Sequence, residues 1–162
     1  MKILLCNERF LFRFGVDRVL MILGVYFKKM GHEVIMMGNK LDEAAVKVCT
    51  DRFIQIPEAP VYIDSNEFAR EWLEKNWESL FPTDDDTPDI AFVAGWPFYM
   101  SLDFLNEKCG ACVFQDHGAV DTDGMSGPAL TTQLKLKELR QENLSKADKI
   151  IAVSKLLQDT QS

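Results

Sequence analysis

The sequence predicts an α/β fold in which a mostly parallel open sheet carries helices on both faces. Two observations predict it. Short runs rich in Ile, Leu, Val and Met alternate with longer stretches whose apolar residues recur at helical spacing, and short links join them. The first of these runs is also apolar at consecutive positions, as a strand buried on both faces of a sheet is.

Lys2 to Cys6 is the first such strand. A polar and aromatic loop, Asn7 to Gly15, leads into a helix whose Val16, Val19, Leu20, Leu23, Phe27 and Met30 are spaced for one face. Asp17 near its start and Lys28–Lys29 near its end suit the helix dipole, and Gly31 is a natural cap. Met21, Ile22 and Val25 lie off the main stripe and predict contact on a second side. Glu33 to Met37 is the second strand, closed by Gly38–Asn39. Arg52 to Ile56 is a short third strand stopped by Pro57. Asn66 to Phe81 is amphipathic, with Phe68, Trp72 and Leu80 on one face and Asn66 as its cap. Pro82 to Pro88 is an exposed acidic loop, Asp89 to Ala94 a fourth strand, and Ser101 to Lys108 a helix. Ala111 to Gln115 is the fifth strand, followed by a Gly- and Asp-rich loop from Asp116 to Pro128. A charged helix spans Leu130 to Ser145, and Lys149 to Val153 is the last strand. Ser154 caps a final short helix that reaches Ser162. Such alternation makes a Rossmann-like three-layer sandwich, read as a single domain over residues 1–162. Ligands then sit beyond the carboxyl ends of the strands, in the loops after Cys6, Ala94, Gln115 and Val153.

Composition narrows the function classes. With 47% hydrophobic and 27% charged residues the chain suits a globular protein with a full core. No apolar run approaches the roughly 18 residues that span a bilayer. The charges of Glu8 and Arg9 follow the first apolar run too closely for a signal peptide, so the expected location is cytoplasmic. There Cys6, Cys49, Cys109 and Cys112 are reduced thiols. A net charge of −7 argues against nucleic acid as a partner. Cys109-Gly110-Ala111-Cys112 has redox or half-zinc spacing, but neither Cys49 nor the two histidines supply a second ligand pair, so no metal is expected. Asp84-Asp85-Asp86 reads as a solvated run. No Gly-x-Gly-x-x-Gly follows the first strand and no Walker A loop is present, which weighs against a nucleotide-cofactor oxidoreductase.

Several segments resemble one family in order. Lys2-Ile3-Leu4-Leu5-Cys6-Asn7, Gly15-Val16-Asp17-Arg18-Val19-Leu20 and Lys29-Met30-Gly31-His32-Glu33-Val34 are similar to the opening of the family 4 retaining glycosyltransferases. The likeness continues at Pro88-Asp89-Ile90, at Asp116-His117-Gly118 and at Ala147 to Lys155. It implies the acceptor-side, N-terminal domain of a GT-B enzyme built from two facing Rossmann-like domains. The second domain, with the family's Glu-x7-Glu motif, holds the nucleotide-sugar; no such pair occurs here. The family needs no metal, because helix N-termini and basic residues neutralise the leaving diphosphate. Two departures stand out. Phe14-Gly15 replaces a pair of glycines, and Phe92 and Ala94 stand where many members carry His-x-His.

The resemblance implies a sugar moved from a nucleotide-sugar to a hydroxyl acceptor, glycan or lipid-linked, with retention. It gives His117 the catalytic place, directly after a buried strand. Phe14, Gly15, Arg18, Gly95, Trp96, Asp116 and Gly118 are the expected acceptor-binding residues. Each has a plainer reading: Gly15 as a helix-entry glycine, Arg18 as an exposed arginine, His117 as a surface loop residue. His32, on the opposite edge, is structural. Phe10, Phe12 and Phe14 with Arg9 and Arg13 form either a lip facing acceptor or the inner membrane face, or rings folded into the core. The alternative function is a stand-alone Rossmann-like binding module or subunit without catalysis of its own.

Overall fold

A computed structural model describes residues 1–118 and 120–152. Val153 and the expected helix from Ser154 lie outside them. The sheet strands are β1 (Lys2–Cys6), β3 (Glu33–Gly38), β5 (Arg52–Gln55), β6 (Ile90–Val93), β7 (Ala111–Asp116) and β8 (Lys149–Ala152). All pair in parallel, in the order β5-β3-β1-β6-β7-β8. The chain therefore winds outward from β1 to one edge, returns, and winds to the other. That is the doubly wound Rossmann arrangement, with its switch point between β1 and β6.

The helices are α1 (Gly15–Lys29), α2 (Glu43–Cys49), α3 (Ser65–Leu80), α4 (Leu102–Lys108) and α5 (Gly127–Asn143). The alternation of side chains along β1 divides the core in two. Ile3 and Leu5 pack with Val34, Met36, Leu20, Met21, Val46 and Cys49 on the α1–α2 face. Leu4 and Cys6 pack with Ile35, Met37, Leu73, Trp77, Leu105 and Phe114 on the other. Helices thus cover both faces, as the sequence predicts. All four cysteines are buried, and burial pushes the Cys109 and Cys112 thiols up to about 12.

Helix faces differ from the sequence reading. In α1 the buried residues are Asp17, Leu20, Met21 and Gly24, while Val19 and Met30 are exposed. The helix is turned because Gly24 packs against the end of α2, where any Cβ would collide with the Cys49 carbonyl oxygen. Gly24→Ala gains at most about 1 kcal/mol of helix propensity. The clash, against backbone that cannot move aside, costs about 1–3 kcal/mol. A lower melting temperature is the expected net result.

The end of α1 is a Schellman motif: Gly31 (φ +86°) donates to the Lys28 carbonyl and His32 to that of Phe27, each at 3.0 Å. In α3 the buried stripe is Ala69, Leu73 and Trp77; Trp72 and Leu80 only flank it, and Phe68 is half-buried. Asn66 lies inside α3 rather than capping it, because its Oδ1 is engaged at 3.0 Å by the Tyr99 amide. α5 starts three residues before the predicted Leu130, since Pro128 is tolerated in a first helical turn.

Three elements were not predicted. Strands β2 (Arg9–Phe10) and β4 (Lys40–Leu41) pair in parallel beside the main sheet. Helix α2 is started by Asp42, whose side chain accepts from the Ala45 amide. Phe10 is fully buried, Phe12 is 51% exposed and Phe14 half-buried, so the aromatic loop divides between the two readings offered for it. No helix among the described residues is long and apolar enough to cross a membrane.

Candidate functional site

A cavity of about 270 Å³ opens at the switch point, where theory places ligands in this architecture. Its walls come from five places: Asn7, Glu8 and Arg9 after β1, Val16 and Asp17 in the first turn of α1, Ala94, Trp96 and Tyr99 after β6, His117, Gly118 and Val120 after β7, and Leu136 of α5. A larger hollow of about 450 Å³ lies at the opposite edge, among Asp84, Asp89 and Lys108. There Asp89 is used structurally, accepting the Lys2 amide at 2.6 Å.

The wall after β1 is fixed by a buried carboxylate. Asp17 is 2% exposed and accepts from Asn7 Nδ2 at 2.9 Å, the Leu11 amide at 3.1 Å and Arg9 Nε at 3.2 Å. Burial nevertheless outweighs these partners and raises its carboxyl above the usual value. Asp17 therefore ties the loop to α1, beyond complementing the helix dipole. Arg9 also lies over the Phe14 ring, 3.6 Å from its centroid.

The wall after β6 turns through Gly95 (φ +134°), where a Cβ would press on the Tyr99 hydroxyl at 3.0 Å. Trp96 follows, 7% exposed, its indole Nε1 buried with no hydrogen-bond partner among the described residues. Its ring stacks on Tyr62, with centroids 5.4 Å apart and planes 28° from parallel. The Tyr62 hydroxyl donates to Glu8 Oε1 at 2.8 Å, and burial together with that bond raises its pKa, keeping it a donor.

Beyond β7, Asp116 is 1% exposed and held in a fork by Arg140 of α5, Nε to Oδ1 at 3.0 Å and the terminal nitrogen to Oδ2 at 2.5 Å. Its Oδ1 also accepts the Gly118 amide at 3.0 Å, and Gly118 sits at φ +84°. This closed turn sets the position of His117 between them. Burial lowers the His117 pKa, against the opposite pull of Asp116, so the ring is neutral at pH 7. Its Nε2 is buried and unpaired among the described residues.

Of the residues expected at the site, His117, Gly118 and Trp96 line the cavity. Asp116 and Gly95 stand behind it and shape its walls. Phe14 is engaged by Arg9 and Arg13, and Gly15 has open space where a side chain would be. Arg18 turns away: its Nε donates to the Phe12 carbonyl at 3.1 Å, and its guanidinium lies over the Phe12 ring. Arg9, expected in the aromatic-basic lip, also lines the cavity, whereas Asn7, Glu8, Tyr62 and Tyr99 were not singled out by the sequence. The polar triplet at 7–9, directly after a buried strand at the ligand-binding edge, was the available signal. Among the described residues no three His, Cys, Asp or Glu side chains are grouped to hold a metal ion. No protein-family model matches the chain, and no curated protein matches its sequence.

Proposed function

We propose that this chain is the acceptor-side domain of a retaining GT-B glycosyltransferase, whose partner domain holds the nucleotide-sugar. The observation that carries the reading is His117, a neutral imidazole lining the switch-point cavity, whose Nε2 is closed off from solvent and has no partner among the described residues. A neutral imidazole has one donor and one acceptor nitrogen, which suits a sugar hydroxyl. The cavity's size also fits. At about 270 Å³ it is smaller than the ~300–1,000 Å³ of a complete small-molecule site, as one wall of an interdomain cleft would be. The first turn of α1 already faces its own carboxylate, Asp17, and so favours a hydroxyl over a diphosphate there. No metal or other cofactor has a part in this reading.

The test is to assay the protein with both domains against a panel of nucleotide-sugars and hydroxyl acceptors. Release of nucleoside diphosphate with a product of unchanged anomeric configuration by NMR supports it. Inversion, or no release with any donor, overturns it. A chain that binds glycans without transfer would be the stand-alone binding module instead.

The same reading has α1 rest on an anionic membrane surface. Val19, Ile22, Tyr26 and Met30 are exposed within one arc of the helix, and Arg18 and Lys29 beside them are exposed cations in a chain of net charge −7. Co-sedimentation with vesicles containing phosphatidylglycerol is expected. It should fall about ten-fold or more in Ile22→Glu/Tyr26→Glu, with the melting temperature unchanged. Equal recovery of both proteins would remove this contact.

A further inference from the structure

A second cavity of about 240 Å³, walled by Asn39, Lys40, Pro60 and Tyr62, shares the Glu8 side chain with the switch-point cavity. Trp96 of the first cavity and Tyr62 of the second are the stacked pair, so the shared wall is one aromatic unit with a carboxylate at its rim. Trp96 covers one face of Tyr62, and the residue remains 54% exposed.

The charges around this pair are matched with one exception. Arg9 is paired with Asp17 at 3.2 Å and Lys40 with Glu58 at 3.0 Å. Glu8 has the Tyr62 hydroxyl and, among the described residues, no cation within ion-pair distance. An anion entering either cavity meets this uncompensated carboxylate, whereas a hydroxyl meets a ready acceptor. The exposed aromatic face, negative at its centre, attracts the polarised C–H bonds of a sugar ring.

We infer that the two cavities form one groove for an uncharged, unphosphorylated glycan of more than one ring, with a ring stacked on Tyr62 and its hydroxyls donating to Glu8. This deepens the acceptor reading given above and rests on it for the word acceptor, but the binding itself does not depend on transfer.

The experiment uses the chain on an array of neutral, phosphorylated and carboxylated glycans, followed by titration calorimetry with the best neutral disaccharide and its monosaccharide. Neutral glycans should be captured, the disaccharide more tightly than the single sugar. Tyr62→Ala should weaken binding about ten-fold, and Tyr62→Phe much less, because the ring is kept. Glu8→Gln should still bind neutral glycans and now also retain phosphorylated ones. Tyr62 is largely exposed, so an unchanged melting temperature shows that these variants fold. The inference is overturned by preference for anionic glycans, by failure of every neutral glycan, or by Tyr62→Ala binding like wild type. Transfer that is indifferent to Tyr62→Ala removes the groove and leaves the glycosyltransferase. Glycan binding that needs Tyr62, with no transfer, removes the glycosyltransferase alone.

Discussion

On the proposed transferase reading, His117→Ala in a two-domain protein is expected to lower kcat by about 10²–10³-fold while leaving the melting temperature near that of the wild type. The magnitude is that of removing one positioned hydrogen-bonding group from a transferring site. The small thermal effect follows because Nε2 has no partner whose bond would be lost. A pH series adds a second, independent readout. The folded-state pKa of His117 lies below the ordinary 6.5, chiefly through burial. Between the two values the unfolded chain holds more protons than the folded one, so stability rises with pH. The contribution is complete above about 6.5 and is lost as pH falls toward the folded value. His117→Ala should flatten that acid-side slope. Turnover unchanged in the variant would take His117 out of the reaction, and an unchanged slope would contradict the burial of a neutral ring.

Asp116→Ala should be the most destabilising single substitution near the site. It leaves Arg140, whose side chain is only 15% exposed, without the carboxylate that holds it, and it frees the Gly118 amide. Breaking a buried pair from one side costs about 3–5 kcal/mol. For a domain of this length that lowers the melting temperature by about 10 °C or more. Asp116→Leu combined with Arg140→Met should recover much of the loss, because two apolar side chains leave no stranded charge. A shift of under about 2 °C for the single variant would show that the fork is not what holds the turn. The same variant should also disturb turnover, since the turn it opens carries His117.

The architecture was legible because its signals are local. Most sheet strands are apolar runs bounded by turn residues, with β5 (Arg52–Gln55) the polar exception, and the order of strand and helix alone implies a parallel sheet. What was lost is what local pattern does not encode. Helix α2 is seven residues long, too short for periodicity, and only the Asp42 cap announced it. The face of α1 was misjudged because Gly24, which carries no hydrophobic signal, lets the backbones of α1 and α2 approach. At the site, His117 and Trp96 could be found by position, immediately after strands. Glu8 and Tyr62 are 54 residues apart, and Asp116 and Arg140 are 24 apart. Asp17 looked like an ordinary dipole-complementing acid, and only three-dimensional packing turns it into a buried hub.

The central place of β1 has a consequence for how the chain is made. It precedes the other sheet strands in the chain, yet its second edge is covered only when β6 pairs with it. Lys2 meets Glu33 on one side, but Ile3 meets Ile90 on the other. At about 5–20 residues per second, several seconds of translation pass before β6 exists to cover that edge. Throughout that interval Ile3, Leu4 and Leu5, all but fully buried in the finished molecule, present an open strand to whatever else the nascent chain meets. Slowing elongation between Gly38 and Ile90 therefore lengthens the window for misassembly, which closes once β6 has emerged and paired with β1.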